Sequence, residues 1–367
     1  MERRFALGLL VLVLAATAVT AVTAASGEPR VTYRAALYAV RGDGSGDRLL
    51  VEPSPPVADF ILSPGGRSIL FNTSNNDGPV GLIAAERSGA NPIRLSPPGM
   101  WAYLRGGGGA AFSPDGQTVA FSSFASCGGR CTRYTLYLVG RDGSGLRPIA
   151  DSMNWSPSPS WSPDGHRLVY HGGVSIYGWE GSVYVLDVES NRTRAIARKG
   201  IQPVWAPRGN RIAYTATRGG YGVACFVNAD GSRRRCTRGH SLTSLIWSPD
   251  ARHVAFRQAH PRRIGIVDSN ARHVRYLGDL GQYARPAAWS PDGRRLAYGW
   301  GSPGWFGQLS VLRLASPTRS VRVVDKPKTY LSDIRWRATG ITYLAKTPVP
   351  EPQRVQAQVA APRREQN

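Results

Sequence analysis

The sequence predicts an all-β fold: a β-propeller of seven four-stranded blades, closed by pairing of its N- and C-terminal hairpins in one blade. Three observations predict it: a recurring turn motif, a second hairpin that accompanies each copy, and the way the repeat begins and ends. The 367 residues include 42 Gly and 27 Pro and contain no long segment with the 3.6-residue period of a helix. Such a composition is expected of a fold built from strands and turns.

The first observation is a motif of about ten residues that recurs along the chain. WSPDGHRLVY begins at Trp161 and WSPDGRRLAY begins at Trp289. Consecutive copies are 42 to 50 residues apart, which is the spacing of propeller blades and exceeds the repeat length of helical solenoids. The more divergent copies begin at Leu62, Phe112, Trp205, Trp247 and Trp336.

Ser-Pro-Asp-Gly inside the motif predicts a type I turn. Pro fixes φ at the second position, Asp tolerates the conformation of the third, and Gly lets the chain leave the turn. The apolar and aromatic residues that follow favour a half-buried strand. Each motif therefore encodes one hairpin.

A second hairpin follows each of the first six motifs. Residues 183–197, VYVLDVESNRTRAIA, are typical: a strand, a polar turn and another strand. A seventh such hairpin, residues 37–51, precedes the first motif, whereas no second hairpin follows the motif at Trp336. The two ends therefore complete one blade together, which ties the ring shut. Six blades are the alternative if the degenerate copy at Leu62 or Trp336 forms no blade.

The predicted propeller covers residues 35–346, and the segments on either side differ from it in composition. Residues 1–25 have a basic start, an apolar run of roughly 20 residues and small residues near Ala24, which predicts a secretory signal peptide or an N-terminal membrane anchor. Residues 347–367 are rich in Pro, Gln and Ala and are predicted to be disordered. Either form of the first segment implies an extracytoplasmic protein: secreted, periplasmic, or anchored and facing outside.

Four cysteines occur as two close pairs, which agrees with export. Cys225 and Cys236 lie symmetrically about a predicted turn, so they would face each other across two strands and form a disulfide. Cys127 and Cys131 form the second predicted disulfide. Free thiols are the alternative for these cysteines, and zinc is disfavoured because no further Cys or His lies near Cys127 in the sequence.

The formal net charge is +22, and the two terminal segments, residues 1–25 and 347–367, contribute only +1 each, so about +20 belongs to the predicted ring. Such a surface attracts polyanions: anionic lipids, acidic glycans, teichoic-type phosphate polymers or nucleic acid. Nucleic acid is the least expected of these for an exported protein. Only four of the 46 basic residues are Lys, so a compositional excess of solvated Arg is the alternative explanation.

The WSPDG turn and the LYLVGRDGSG type of hairpin resemble the WD40-like (PD40) repeats of the TolB family of bacterial envelope propellers, over residues 37–346. The resemblance implies an envelope protein that binds other proteins and performs no chemistry. TolB itself has six blades and an N-terminal α/β domain, which differ from the predictions for this chain, so its own partners are not carried over. We expect a monomer without metal or cofactor that binds an envelope protein or an anionic envelope polymer.

Two enzyme classes contain similar repeats. Prolyl oligopeptidases and dipeptidyl peptidases add an α/β-hydrolase domain, but no G-x-S-x-G motif occurs in this sequence, so a serine peptidase is not expected. Oligogalacturonate lyases resemble the chain in blade number. They hold a metal through His and Gln and act on an acidic sugar, which the positive charge of the predicted ring would suit. A carbohydrate-active polysaccharide lyase is therefore the alternative function. Its candidate ligands here lie in different blades without a spacing signature: His166, His171, His240, His253, His260, His273 and Gln282.

Both kinds of turn fall on one face of the ring, the turn face, because each joins an odd-numbered strand of a blade to the next. The opposite face, the variable face, receives the connections between hairpins and between blades, and these differ in sequence. Long loops on a rigid frame often carry function, and aromatic and Arg residues are enriched at contact sites. Capping of the blade cores is the alternative role for the aromatic residues. We predict no catalytic residues and a binding site on the variable face formed by Trp179, Arg218, Tyr221, His260, Arg262, Arg263, Tyr283, Arg285 and Trp305.

Overall fold

The described residues form 29 strands in seven antiparallel sheets and contain no helix. The prediction of an all-β propeller with seven blades is confirmed. The computed structural model describes residues 32–52, 57, 60–75, 78–97, 100–102, 104, 109–126, 132–153, 159–173, 181–218, 221–238, 242–278, 280, 283–300, 307–315, 320–326, 329–338 and 340–349.

The strands are two to ten residues long. In chain order they are β1 (Thr32–Val40), β2 (Arg48–Val51), β3 (Phe60–Leu62), β4 (Ser68–Asn75), β5 (Gly78–Glu86), β6 (Ile93–Arg94), β7 (Trp101–Ala102), β8 (Ala110–Phe112), β9 (Thr118–Ser126), β10 (Thr132–Gly140), β11 (Arg147–Met153), β12 (Ser160–Trp161), β13 (Arg167–Gly172), β14 (Ser182–Asp187), β15 (Thr193–Ala197), β16 (Gly200–Trp205), β17 (Arg211–Arg218), β18 (Tyr221–Asn228), β19 (Arg235–Cys236), β20 (Leu242–Trp247), β21 (His253–Gln258), β22 (Arg263–Asp268), β23 (Val274–Tyr276), β24 (Arg285–Trp289), β25 (Arg295–Trp300), β26 (Gln308–Arg313), β27 (Ser320–Asp325), β28 (Tyr330–Arg337) and β29 (Gly340–Val349).

Each sheet is one blade, and its first strand lies nearest the ring axis. Blade 1 is β3 to β6, blade 2 is β7 to β11, blade 3 is β12 to β15, blade 4 is β16 to β19, blade 5 is β20 to β23 and blade 6 is β24 to β27. In blade 2 both β7 and β8 pair with β9, and together they take the place of one first strand. First strands of neighbouring blades, such as β16, β20 and β24, contact one another around the axis. The fourth strands consequently form the outer rim.

Blade 7 contains both ends of the ring, in the order β2-β1-β29-β28. Nine residue pairs join β1 to β29, from Thr32 opposite Val349 to Val40 opposite Ile341. The predicted sharing of one blade by the two termini is confirmed. Residues 347–349, which follow the predicted propeller boundary at 346, pair with β1.

The predicted signal or anchor segment, residues 1–25, lies outside the described residues, and so does the predicted tail from residue 350 onward. Within the part of the chain that the structure describes, no helix is both long enough and apolar enough to cross a membrane.

The buried apolar residues that the structure describes form seven clusters, each between two consecutive blades. Val183 of blade 3, for example, packs in one cluster with Ile212 and Tyr214 of blade 4. Alternate residues of a strand point to opposite sides, so Val254 faces blade 4 while Ala255 faces blade 6. Every blade is therefore buried on both faces, and no blade stands without two neighbours.

The Ser-Pro-Asp-Gly motif closes its hairpin through a fixed set of hydrogen bonds. In blade 3 the Gly165 amide donates to the Ser162 carbonyl at 3.0 Å, and the Ser162 hydroxyl donates to Asp164 Oδ1 at 2.5 Å. The same carboxylate accepts the His166 amide at 3.1 Å. Gly165 has a φ of +76°, a conformation that Gly adopts without strain. The motif is therefore a structural turn, and its serine is buried.

The tryptophan that precedes the motif links one blade to the one before it. In three blades its indole N–H donates to the backbone carbonyl of the residue just before the motif position of the preceding blade. The bonds run from Trp161 to Ala111 (3.1 Å), from Trp247 to Val204 (3.0 Å) and from Trp289 to Ile246 (3.0 Å). Trp205 differs, because its N–H donates to Gly209 of its own turn at 3.2 Å.

Replacing Trp247 with Phe removes an interblade hydrogen bond while keeping an aromatic ring in the core. We expect the free energy of unfolding to fall by about 1 to 2 kcal/mol, because the Val204 carbonyl loses its donor and cannot be fully rehydrated. Trp205→Phe is the matched control, since its acceptor Gly209 is exposed and can bond to water. Denaturant titration measures both. Equal losses of unfolding free energy in the two variants would mean that the interblade hydrogen bond stabilises the fold no more than the bond within the turn does.

The aspartates of the motif are better acceptors when ionised. The hydroxyls of the motif serines, with help from a backbone amide two residues further on, lower the pKa of these carboxyls although partial burial opposes the shift. The folded pKa therefore lies below the unfolded pKa, and the turns stabilise the fold above the unfolded value. This contribution is lost as the pH falls through the folded pKa. The groups concerned are Asp115, Asp164 and Asp292.

Changing all three aspartates to Asn keeps an acceptor for each serine but removes the titration. We expect the free energy of unfolding of the wild-type protein to fall below about pH 5, and the fall to be shallower in the D115N/D164N/D292N variant. Denaturant unfolding at a series of pH values measures this. Superimposable pH profiles would contradict the role of these carboxylates.

Candidate binding surface

The loop between β21 and β22, on the variable face of blade 5, is held by one buried glutamine. Gln258 is only 6% exposed, and its amide nitrogen donates to the His260 carbonyl at 2.7 Å. Its side-chain oxygen accepts a hydrogen bond from Arg263 Nε at 3.2 Å. The side chain of His260 is itself exposed. The glutamine thus fixes the path of the loop that presents the predicted arginines.

Arg262 and Arg263 point to opposite sides of blade 5. The Arg263 guanidinium lies over the Tyr276 ring, 3.5 Å from its centroid, and Tyr276 packs against the core shared with blade 4. The Arg262 guanidinium lies 5.3 Å from the centroid of Tyr283, which belongs to the connection leading to blade 6. The two arginines therefore contact different neighbours, and their common membership of one binding site stays a prediction. The alternation of side chains at the start of β22 explains the separation.

A basic cluster forms between blades 5 and 6 on the variable face. The side chain of Arg257 lies on the side of β21 that faces blade 6. Burial, together with the nearby charges of Arg285 and Arg262, lowers the pKa of Arg257. Its Nε atom is buried and has no hydrogen-bond partner among the described residues. An Arg pKa stays far above neutrality, so three positive charges converge here. We call Arg257, Arg262, Arg285 and Tyr283 the variable-face cluster.

Sequence reasoning did not single out Arg257. It lies within the variable segment RQAHPRR, but in a strand the direction of a side chain depends on register, which the sequence alone does not supply. The structure pairs Arg257 with Ile264 and thereby directs it toward blade 6. Arg285 was predicted and is exposed at the first position of β24.

The side chains of four other predicted variable-face residues are not described by the structure. Arg218 and Tyr221 face each other at the end of the β17–β18 hairpin, on the variable face as expected, but their side chains are outside the described part. Trp179 and Trp305 also lie outside the described residues. Their membership of the site stays a prediction.

Cys225 and Cys236 form the predicted disulfide across β18 and β19. The two residues are directly paired in register, with 4.0 Å between their Cα atoms. Cys225 is fully buried in the core between blades 3 and 4, so the bond secures the short outer strand of blade 4. Cys127 and Cys131 lie outside the described residues, and their disulfide stays a prediction.

The histidines considered for a metal do not come together within the described residues. His171 is buried at the end of β13, whereas His166, His253 and His273 are exposed near the turn face. His240 and Gln282 lie outside the described residues. In the part of the chain that the structure describes, no three His, Cys, Asp or Glu side chains are close enough to share a metal ion.

Comparison with known proteins assigns the family. A sequence profile for the TolB β-propeller domain (PD40) matches residues 125–326, which is more than half of the chain. The chain belongs to this family. The matched residues run from the end of β9 in blade 2 to the end of blade 6 and include most of the TolB-like propeller, with the variable-face cluster.

Peptidases contain similar propellers. Dipeptidyl-peptidase 5 of Porphyromonas endodontalis is 31% identical to the TolB-like chain over 145 residues, which is 37% of this chain and 20% of that protein. The chain therefore spans about one fifth of that relative's length. The structure of dipeptidyl peptidase 4 from Porphyromonas gingivalis superimposes with a TM-score of 0.52 at 12% identity, over 76% of this chain and 45% of that chain.

The structure of a putative TolB from Agrobacterium tumefaciens also superimposes on the TolB-like propeller. Its TM-score is 0.50 at 15% identity, and the match covers 87% of this chain and 100% of that chain. At such low identity these structural likenesses establish the shared propeller fold alone.

Replacing Gln258 with Leu tests whether the glutamine holds the variable-face loop. We expect faster hydrogen exchange of the backbone amides of residues 259–263, since the His260 carbonyl and Arg263 both lose their partner. Hydrogen-exchange mass spectrometry measures the change. Gln117→Leu, at an exposed glutamine of the turn face, is the control, and similar exchange in both variants would argue against the role of Gln258.

Proposed function

We propose that this TolB-like propeller is an exported, non-catalytic binding module of the cell envelope. Its variable face contacts a protein or an anionic polymer, and the contact is made to acidic groups of that partner. The observation that carries the proposal is the convergence of Arg257, Arg262 and Arg285 between blades 5 and 6.

The electrostatics of the cluster favour an anion. Burial and two like charges destabilise the charged form of Arg257, and a carboxylate or phosphate placed beside it would offset that cost. Guanidinium groups bind such anions through two parallel hydrogen bonds. The ring of Tyr283 supports Arg262 from one side and orients it. The cluster can therefore recognise an acidic group without any chemistry.

Export is supported by two independent features. The Cys225–Cys236 disulfide is of the kind that persists in oxidising compartments outside the cytoplasm. The first residues have the composition of a secretory signal or anchor. The family resemblance to envelope propellers agrees with both, and it favours a location in or beyond the periplasm.

The similarity to dipeptidyl-peptidase 5 covers only 20% of that protein, so we do not carry its activity over to this chain. Within the printed sequence no G-x-S-x-G motif occurs. Hydrolysis or lyase activity is tested directly by incubating the protein with peptides, or with acidic oligosaccharides and a divalent metal, and following product absorbance. Turnover would contradict the non-catalytic assignment.

The binding prediction concerns the double variant Arg262→Ala/Arg285→Ala. We expect binding of polyglutamate and of inorganic polyphosphate to weaken about tenfold at low salt, and the salt dependence to become shallower, because fewer counterions are displaced. Fluorescence anisotropy over a range of salt concentrations measures both. Thermal unfolding should be unchanged, because exposed Arg contributes little to stability.

The matched control is Arg252→Ala/Arg294→Ala, which removes two exposed arginines from the turn face of blades 5 and 6. Arg295 is unsuitable for this purpose because its guanidinium lies 4.8 Å from the ring centroid of Trp336. Equal weakening in both double variants would mean that only net charge matters and that the variable face holds no localised site.

A further inference from the structure

A second basic surface lies at the outer rim between blades 4 and 5. The fourth strands of these blades, β19 and β23, border a groove of about 650 Å³ that is open to solvent. Its lining combines arginines with apolar side chains: Arg235, Arg238, Arg272, Ala271, Val274 and Tyr276. The groove is distinct from the variable-face cluster, which lies between blades 5 and 6. Nothing in the proposed function accounts for it.

The three arginines of the rim groove are available to a ligand. All three are exposed, and none of their guanidinium groups makes a hydrogen bond or ion pair with another residue that the structure describes. The nearest acidic side chains in sequence are Asp230 and Asp268. Asp230 accepts a hydrogen bond from the Ser232 amide at 2.8 Å. Asp268 accepts hydrogen bonds from the Arg272 amide at 2.9 Å and from the His273 ring at 2.7 Å. The positive charge of the groove is therefore left for a partner to neutralise.

The apolar part of the groove is also left open. The Val274 side chain is 36% exposed. Few other large apolar side chains among the described residues are as exposed. Val274 and Tyr276 lie on the same side of β23, while the intervening Arg275 points the other way and bonds to Leu314 of blade 6 at 3.2 Å. β23 is the last strand of its sheet, so its outer edge offers unpaired backbone groups.

The aromatic side chain of the groove is not open for stacking. Arg263 covers the Tyr276 ring at 3.5 Å, and Phe256 meets it edge-on at 6.0 Å. Sugars and nucleobases are recognised largely by stacking on free aromatic faces. A peptide needs none, because it can use the strand edge, the apolar contact and the arginines together. The lining therefore favours a polypeptide over a glycan or a nucleic acid.

We propose that the rim groove binds an acidic polypeptide segment in an extended conformation. Its carboxylates pair with Arg235, Arg238 and Arg272, and an apolar side chain between them packs on Val274. A second copy of this chain is disfavoured as the occupant, because each copy carries a net charge of +22. The segments before residue 32 and after residue 349 each carry a net charge of +1, so neither is complementary to the groove.

The probe is a short fluorescein-labelled peptide in which Glu and Val alternate, titrated with the intact protein and followed by anisotropy. We expect Arg235→Ala/Arg238→Ala to weaken binding about fivefold or more, because two charged contacts are lost. Val274→Ser should weaken it about twofold through the lost apolar contact. The matched control, Arg192→Ala/Arg194→Ala, removes two exposed arginines at the start of the outer strand of blade 3 and should leave affinity unchanged.

Equal losses in the groove variant and its control would overturn the proposal, since net charge would then explain binding. A peptide of alternating Glu and Ser whose binding was as tight as that of the Glu-Val peptide, and was likewise weakened in Arg235→Ala/Arg238→Ala, would overturn the assignment to a polypeptide with apolar side chains. Inorganic polyphosphate would overturn it only if its equally tight binding were lost in that groove variant, because polyphosphate bound at the variable-face cluster is lost in Arg262→Ala/Arg285→Ala instead. Loss of peptide binding in Arg262→Ala/Arg285→Ala, but not in the groove variant, would place the peptide on the variable face and refute the rim site. Unchanged thermal unfolding of each variant shows that folding is not the cause.

Discussion

Pairing between β1 and β29 is the contact on which the rest of the ring depends, because it joins the two ends of the propeller in one blade along nine residue pairs. The Tyr343 hydroxyl of β29 donates to Asp47 at 2.6 Å across 296 residues of sequence, and Lys326 of blade 6 bonds to the same carboxylate at 3.1 Å. Burial and the adjacent Asp47 raise the pKa of Tyr343 far above its ordinary value, so it stays a donor. The closure gives blade 7 a neighbour on each side, as the other six blades have, so that no blade leaves an apolar face uncovered.

Once the ring is closed, the repeated residues have structural tasks. The motif serine and aspartate fix the turn, and the motif tryptophan reaches back to the preceding blade. These tasks recur at the same position in successive blades, which is why the motif recurs in the sequence. They also occupy the turn face and the axis. The variable face and the rim remain available for recognition, and there the sequence differs from blade to blade.

Arginines of this basic chain divide into two groups that only their surroundings distinguish. Arg211 belongs to the structural group: it donates to the Ser269 carbonyl of blade 5 at 2.6 Å and is partly buried. Arg167 lies 5.1 Å from the ring centroid of Trp205 in the next blade and supports that interface. The variable-face cluster and the rim groove belong to the other group, whose arginines other than the half-buried Arg257 are exposed. The number of positive charges available to an anionic partner is therefore smaller than the overall charge of +22 indicates.

The sequence by itself determined the fold class, the number of blades, the shared blade and the Cys225–Cys236 bond. Each follows from local signals: turn residues, period-2 strands and the count of hairpins at the two ends. It also located the loops of the variable face.

Only the tertiary structure decided which arginines meet. Adjacent residues such as Arg262 and Arg263 diverge because strand side chains alternate, whereas Arg257 and Arg285, distant in sequence, converge because blades 5 and 6 pack together. The rim groove escaped prediction for the same reason: its walls come from two blades, and register and packing, not composition, set the direction of each side chain.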